Sequence, residues 1–467
     1  MLFTLAFRHL VVRKRRSLFL LLGYAIGVGV MIVLLSVGEA MLVQSRDVSL
    51  VGGGEVTVLP QGIDIEAMRS GGVGALFFGI DRARFIARQV LGGLRHAAQV
   101  AAVAPAIENK LVYLSANGRT IAARAGGEIP SRAAAVGAGL EVIAGRWADS
   151  PADSAWVTPT RQQLYDELDR FHRPSRDDST WGEWHYFNVV AGPEEWWHIT
   201  WLIGGAMGND GWGGQLLVTH RRPDGRHERF AARVPAARVT FDTASADVTL
   251  GASTVRQRDG RYALHGKLPG LEFEVEVMPA PNRFFPPVEL ASDEFVSGYV
   301  VPGLRATATG RFCLAGRCRD VIDAPAYHDH NWGVWRNVTW DWGMGRGTAF
   351  DLLYGGVART DASGAHDARP LFLGLADSLG VRQVLRFERI TYQVPSTRSF
   401  AFTATRDRDT VRVRVDVLST HTTGTGSGGF RRSFRQMRGR FRLEGRLSGR
   451  MVADSGWGFF ETWRERQ

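Results

Sequence analysis

The hydrophobic rhythm of the chain changes twice. Residues 17–38 (SLFLLLGYAIGVGVMIVLLSVG) carry no charge and follow the basic run Arg13-Lys14-Arg15-Arg16. A helix needs about 20 apolar residues to cross a bilayer. The basic flank predicts a cytoplasmic N-terminus, with the bulk of the chain exported. The apolar run exceeds the roughly 7–15 residues of a cleaved signal sequence, so an uncleaved single-pass anchor is expected. Residues 81–99 then place Ile86, Val90 and Leu94 at helical spacing. From Trp181 onward the period becomes two. Leu271, Phe273, Val275 and Val277 alternate with Glu272, Glu274 and Glu276, and Val411, Val413, Val415 and Val417 alternate with Arg412, Arg414 and Asp416. Strands half buried against a core or cavity have this pattern.

Between these regions the chain is less regular. Residues 55–60 read as a short strand ended by Pro60, and residues 108–147 as Ala- and Gly-rich strand pieces. Residues 148–180 read as a polar linker with a short docking helix at 161–170. Glycine-rich turns punctuate the β region at 207–214 and 423–429. The fold class expected is mainly β: two tandem antiparallel barrels after a transmembrane helix and a small α+β segment. The prolines at 279, 281, 286 and 287 suggest where the barrels divide. The expected domains are 1–50 (basic flank and anchor), 51–155 (extracytoplasmic segment), 156–290 (first barrel) and 291–467 (second barrel).

Length and composition agree with several domains: 467 residues, 45% hydrophobic and 22% charged. Of 14 Trp, all but Trp147 and Trp156 lie at or after Trp181. The net charge is +10, almost wholly from Arg, since Lys occurs only at 14, 110 and 267. The arginines are interspersed with acids, and no element carries a dense basic face, which argues against nucleic acid and for a membrane. The two cysteines, Cys313 and Cys318, flank a hairpin-like Leu-Ala-Gly-Arg. They are placed for a disulfide in an oxidising compartment, or they remain two thiols. There is no phosphate loop and no G-x-S-x-G elbow.

The densest chemistry is Tyr327-His328-Asp329-His330-Asn331-Trp332-Gly333. Buried polar groups need partners, so a cluster of imidazole, carboxylate and amide among rings suits the lining of a pocket. As a strand, it would put His328, His330 and Trp332 on one face and Tyr327, Asp329 and Asn331 on the other. Asp329 is the candidate acid, since burial could raise its pKa enough for it to donate a proton at neutral pH. His330 and Tyr327 are its candidate catalytic neighbours. His328, Asn331, Trp332, Trp340, Trp342, Glu183, Trp184 and Tyr186 are the candidate ligand-binding residues, with aromatic faces able to stabilise a cation. Glu461 reads as an acid that closes a barrel or lines its mouth. His328-x-His330 could share an ion if His185 or His198 came close. No metal and no cofactor is expected. Binding of an apolar ligand without chemistry remains open beside catalysis.

Two resemblances add to this reading. Leu5-Ala6-Phe7-Arg8-His9-Leu10, the basic run, residues 22–28 and Ser36-Val37-Gly38-Glu39 resemble the N-terminus of MacB/FtsX/LolC-type ABC transporter permeases, with 51–147 as a shortened extracytoplasmic domain. The further spans of such permeases are missing, so the resemblance implies topology and a transporter permease or ATPase partner, not transport. From about residue 181, Gly182-Glu183-Trp184-His185-Tyr186-Phe187-Asn188, the 327–333 cluster, Trp340-Asp341-Trp342 and residues 456–463 resemble the hydroxyneurosporene synthase (CrtC, carotenoid hydratase)/AttH-like family. That resemblance implies two lipocalin-like (calycin-type) barrels acting on an apolar isoprenoid or lipid by acid-catalysed hydration or isomerisation. The alternative it leaves is a non-catalytic lipid-binding accessory of an ABC export system. The permease resemblance, with the uncharged run and its basic flank, implies an inner-membrane protein with its bulk in the periplasm.

Overall fold

In the computed structural model the described residues are 14–45, 83, 86–87, 90–91, 95, 97–116, 119–136, 169–172, 177–208, 211–292, 295–335, 338–359, 371–393, 398–427 and 430–465. The expected strand at 55–60, the pieces at 137–147 and the docking helix up to residue 168 lie outside them. The chain divides into two compact units, one of residues 1–87 and 100–157, the other of 88–99 and 158–467.

The first unit contains helix α1 (Lys14–Ser45), the hairpin β1 (Ala106–Ala116) and β2 (Arg119–Glu128), and helix α2 (Pro130–Ala135). α1 is 32 residues long and includes the whole uncharged run. Its described side chains run unbroken only over 22–36, where all are exposed, and among the described residues no helix is long and apolar enough to cross a membrane.

The second unit consists of two antiparallel sheets, as the alternating sequence requires. The first sheet holds β3 (Trp181–Gly192), β4 (Glu195–Ala206), β5 (Gly211–Arg221), β6 (His227–Pro235), β7 (Val239–Phe241), β8 (Val248–Leu250), β9 (Ser253–Arg258), β10 (Arg261–Leu268), β11 (Leu271–Pro279), β12 (Phe285–Ser292), β13 (Phe295–Leu314) and β14 (Arg317–Val334). Its order is β6-β5-β4-β3-β14-β13-β11-β10-β9-β8-β7, with β12 on β13. It curls until Gly214 of β5 abuts Leu250 and Val239, which leaves it nearly closed around a core that includes Phe187, Trp201, Tyr262 and Phe273.

The second sheet holds β15 (Val338–Gly347), β16 (Asp351–Arg359), β17 (Leu371–Asp377), β18 (Gly380–Phe387), β19 (Thr391–Tyr392), β20 (Ser399–Arg406), β21 (Asp409–Ser427), β22 (Phe430–Leu447) and β23 (Arg450–Glu465). Its order is β18-β17-β16-β15-β23-β22-β21-β20-β19, and the pairing Arg386↔Thr405 between β18 and β20 closes it. Val411, Val413 and Val415 are fully buried in its core. A third apolar cluster, with Tyr186, Val190, Tyr327, Met344 and Phe459, fills the seam between the sheets.

The expected domain boundary at 290/291 does not separate the sheets. It falls inside β12, and the chain passes from one sheet to the other between Val334 and Val338. The long strands β13 and β14 return to pair with β11 and β3, so they belong to the first barrel. Pro286 and Pro287 sit in β12, an edge strand, where a missing N–H costs no ladder bond. The β13–β14 hairpin turns through Ala315 and Gly316, both at positive φ, and Cys313 and Cys318 face each other across it in a disulfide.

Candidate functional site

The 327–333 cluster is the C-terminal part of β14, hydrogen-bonded to β3 on one side and β13 on the other. It thus belongs to the first barrel, not to an early strand of the second. Because strand side chains alternate, the cluster serves two separate places. His328, His330 and Trp332 point into the first barrel. Tyr327, Asp329 and Asn331 point into the seam. His330, a candidate catalytic neighbour of Asp329, is separated from it for this reason: adjacent on a strand, they face opposite ways.

In the seam, Asp329 is buried and receives three hydrogen bonds. Tyr327 Oη donates to Oδ2 at 2.7 Å, Trp342 Nε1 to Oδ2 at 3.1 Å, and Asn331 Nδ2 to Oδ1 at 2.7 Å. These donors favour the carboxylate. Burial outweighs them, with repulsion from Glu461 added, and the carboxyl is pushed up to about 8. Tyr186 lies directly across the ladder from Asp329. Its hydroxyl donates to Glu461 Oε1 at 2.8 Å and also meets His198 Nδ1. Gln436 Nε2 donates to Glu461 at 3.1 Å. Burial raises Glu461 above the usual carboxylate range and lowers His198 to about 3, so that imidazole is neutral. Burial also raises both tyrosines, Tyr186 and Tyr327, well above the ordinary value.

The seam therefore places two hard-to-ionise acids, Asp329 and Glu461, among aromatic rings. Tyr299 meets Trp342 edge-on at 5.0 Å and stacks on Phe372 at 5.4 Å. Trp184, Trp335, Trp340 and Trp463 form a chain of ring contacts towards one end. Towards the other end lies Asn188, whose buried amide oxygen and nitrogen have no hydrogen-bond partner. Beyond it a cavity of about 400 Å³ is lined by Val190, Pro193, Pro325, Arg438 and Trp457. Strand geometry puts it roughly 13 Å from Asp329, at four residues of about 3.3 Å each. A larger cavity of about 880 Å³ lies against the second sheet, by Tyr392, Arg412 and Arg414. Neither cavity is lined by residues 327–332.

Inside the first barrel, the other face of β14 meets β3 and the segment before it. Asp169 is fully buried; its Oδ2 accepts from Tyr262 Oη at 2.6 Å and contacts His328 Nε2 at 2.9 Å, and its Oδ1 contacts His330 Nδ1 at 2.8 Å. His330 Nε2 contacts Glu183 Oε1 at 2.7 Å, and Glu183 also accepts the backbone N–H of His172 at 2.7 Å. The His172 ring stacks on Trp332 at 3.6 Å. Against the opposing pull of burial, the two carboxylates raise His330 to about 9. Burial also works against Asp169 and Glu183, yet their histidine partners hold both below the usual range. His185 is lowered well below its ordinary value by burial and then by His330.

Of the expected site residues, the seam brings together Asp329, Tyr327, Asn331, Trp342, Trp340, Trp184 and Tyr186. It does not include His330, His328, Trp332 or Glu183, which line the barrel interior. His198 lies in the seam and so cannot join the barrel histidines as an ion ligand. Sequence reasoning missed Asp169 and His172, which sit in a stretch that reads as a polar linker, and nothing local marks them as core. Glu461 was noticed as a barrel-closing or mouth-lining acid, and the structure places it facing Asp329 across the seam. The alternation along β23, with Phe460 in the second barrel's core, was the available signal.

No family model and no curated protein matches the chain. Among solved structures, it is similar to an AttH protein from Nitrosomonas europaea, at 15% identity and a TM-score of 0.39, over 60% of this chain and 91% of that one. Kievitone hydratase from Nectria haematococca is similar at 9% identity and a TM-score of 0.40, over 63% and 97%. The protein CghA is similar at 10% identity and 0.45, over 64% and 96%. At these scores the likenesses carry no argument about function. None of these comparisons supports the permease resemblance of the first 147 residues.

Proposed function

We propose that this protein acts on an apolar isoprenoid or lipid in the seam between its two barrels, by acid-catalysed hydration or isomerisation of a double bond. The observation that carries the reading is the buried Asp329, held by Tyr327, Asn331 and Trp342 and faced by Glu461 among aromatic rings. A carboxylic acid that keeps its proton near neutral pH can give it to an alkene carbon. The carbocation so formed would lie against the faces of Trp342 and Tyr299, whose rings favour positive charge. Water adding to the cation yields an alcohol and returns a proton to the Asp329 carboxylate. Loss of a different proton to the same carboxylate yields a shifted double bond. The polar group of Tyr186, Glu461 and Gln436 is suited to hold the water.

A second reading, non-catalytic binding of the same ligand class, is favoured by the close packing around Asp329 and the position of the 400 Å³ cavity further along the seam. In either case α1, with its uncharged run and basic flank, is proposed as a single-pass inner-membrane anchor that leaves the barrels in the periplasm, beside an ABC transporter permease or ATPase. The full chain, extracted in detergent, should carry lipid identifiable by mass spectrometry. Turnover of that lipid by the wild type, lost in Asp329→Asn with binding retained, supports catalysis. Ligand bound but unaltered supports the accessory role, and a chain that holds no apolar ligand sinks both. Carbonate-resistant membrane association, lost on deletion of residues 1–45, tests the anchor.

A further inference from the structure

The barrel interior holds a polar cluster for which the seam chemistry has no use. Asp169, His185 and His330 are each at most 2% exposed, and their ligand atoms lie within 4.8 Å of one another. Most groups there are satisfied, but His185 is not. Neither of its ring nitrogens has a hydrogen-bond partner, and Nδ1 points at Asp169 Oδ1 from 3.7 Å. A buried imidazole with both nitrogens idle is costly in an apolar core. Phenylalanine would fill the same space without that cost.

We propose that Asp169 Oδ1, His185 Nδ1 and His330 Nδ1 form a binding site for one divalent first-row transition ion of the zinc or iron(II) class. The donors are two imidazoles and one carboxylate, a set that suits such ions. Ligand bonds of about 2.0–2.2 Å in a tetrahedral site put neighbouring ligand atoms roughly 3.3–3.6 Å apart. The contacts of Asp169 Oδ1, 2.8 Å to His330 and 3.7 Å to His185, bracket that spacing. The ion takes the place of the proton shared by His330 Nδ1 and Asp169. The outer contacts are already in position. His330 Nε2 is free to donate to Glu183, fixing the tautomer that offers Nδ1 to the ion, while Asp169 Oδ2 stays anchored by Tyr262 and His328. A second group, His172, Glu183 and His330, is also close enough to hold an ion. Its atoms already bond one another at 2.7 and 3.3 Å and leave none idle, so it serves as the outer shell.

The site does not depend on what happens in the seam, so its test uses metal alone. The full chain, purified without a polyhistidine tag, is analysed for bound metals, stripped with chelator, and titrated with Co²⁺ and Zn²⁺. A single equivalent of Co²⁺ giving visible ligand-field absorption, displaced by Zn²⁺, is expected. His185→Phe should abolish that binding while leaving the metal-free chain at least as stable. Glu183→Gln should weaken binding roughly 10–100-fold. If His185→Phe does not fold, His185→Gln replaces it under the same criterion. No stoichiometric binding by the wild type overturns the proposal, as does binding that survives loss of the His185 ring.

Discussion

At the residue scale, two adjacent side chains, Asp329 and His330, show how burial and partners set opposite chemistry. His330 is raised to about 9 because two carboxylates reach it, and Asp329 is raised to about 8 because burial outweighs its three donors. The consequence for Asp329 has a definite sign. Unfolded, its carboxyl ionises near about 3.9, so the folded chain holds an extra proton between about pH 4 and 8. Its contribution to stability is full below the unfolded value and is lost as pH rises through the folded one. Asp329→Asn should flatten that part of the stability profile, measured as urea midpoints from about pH 4 to 9. His330 titrates in the same direction, so the difference between wild type and variant isolates Asp329. If Asp329 is the proton donor, turnover in the wild type should be level on the acid side and fall as pH rises through about 8, seen in kcat/KM against pH. A profile that rises there would remove Asp329 as the acid.

At the element scale, β14 is legible from alternation, but its two faces were not assignable until its neighbours were known. The sequence groups Tyr327, Asp329 and His330 because they lie within four residues of one another. Pairing of β14 with β3 and β13 separates them into seam and barrel. The same strand depends on Gly298, which pairs with Trp332 across the β13–β14 ladder. A Cβ there would lie 2.1 Å from the indole, so the ring occupies space that only glycine leaves. Gly298→Ala should push Trp332 off His172 and cost about 1–3 kcal/mol as an overpacking change. Chemical denaturation with tryptophan fluorescence checks this, and an unchanged midpoint would show that the ring relocates freely.

At the scale of the whole β unit, the two barrels are joined by the aromatic seam and by a charged contact. Asp351 on β16 is fully buried and pairs with Arg305 of β13 at 2.6 Å and with Arg283, just before β12, at 3.2 Å. Both arginines come from the first barrel and the acid from the second. Removing the acid leaves partly buried guanidiniums unpaired, so Asp351→Ala is expected to destabilise by about 3–5 kcal/mol. Because the loss falls between the barrels, unfolding should also broaden or split into two steps. Denaturant curves by circular dichroism would show either outcome. A single transition at the wild-type midpoint would show that the seam alone holds the barrels together.

The sequence by itself determined the class of structure. Period-two burial specifies half-buried strands, as in β11 and β21, because strand side chains alternate between the two faces of a sheet. The polar and aromatic stretch at 327–333 was also visible in sequence, since a run of His, Asp, Asn and rings is costly anywhere but a site that satisfies it. Tertiary structure alone decided which strands share a sheet, and with it the division at 334 rather than 290. It also decided that Asp329 lies within reach of the Glu461 charge while His330 meets Asp169. Those pairings join residues more than a hundred positions apart, through side-chain contacts that local patterning does not encode.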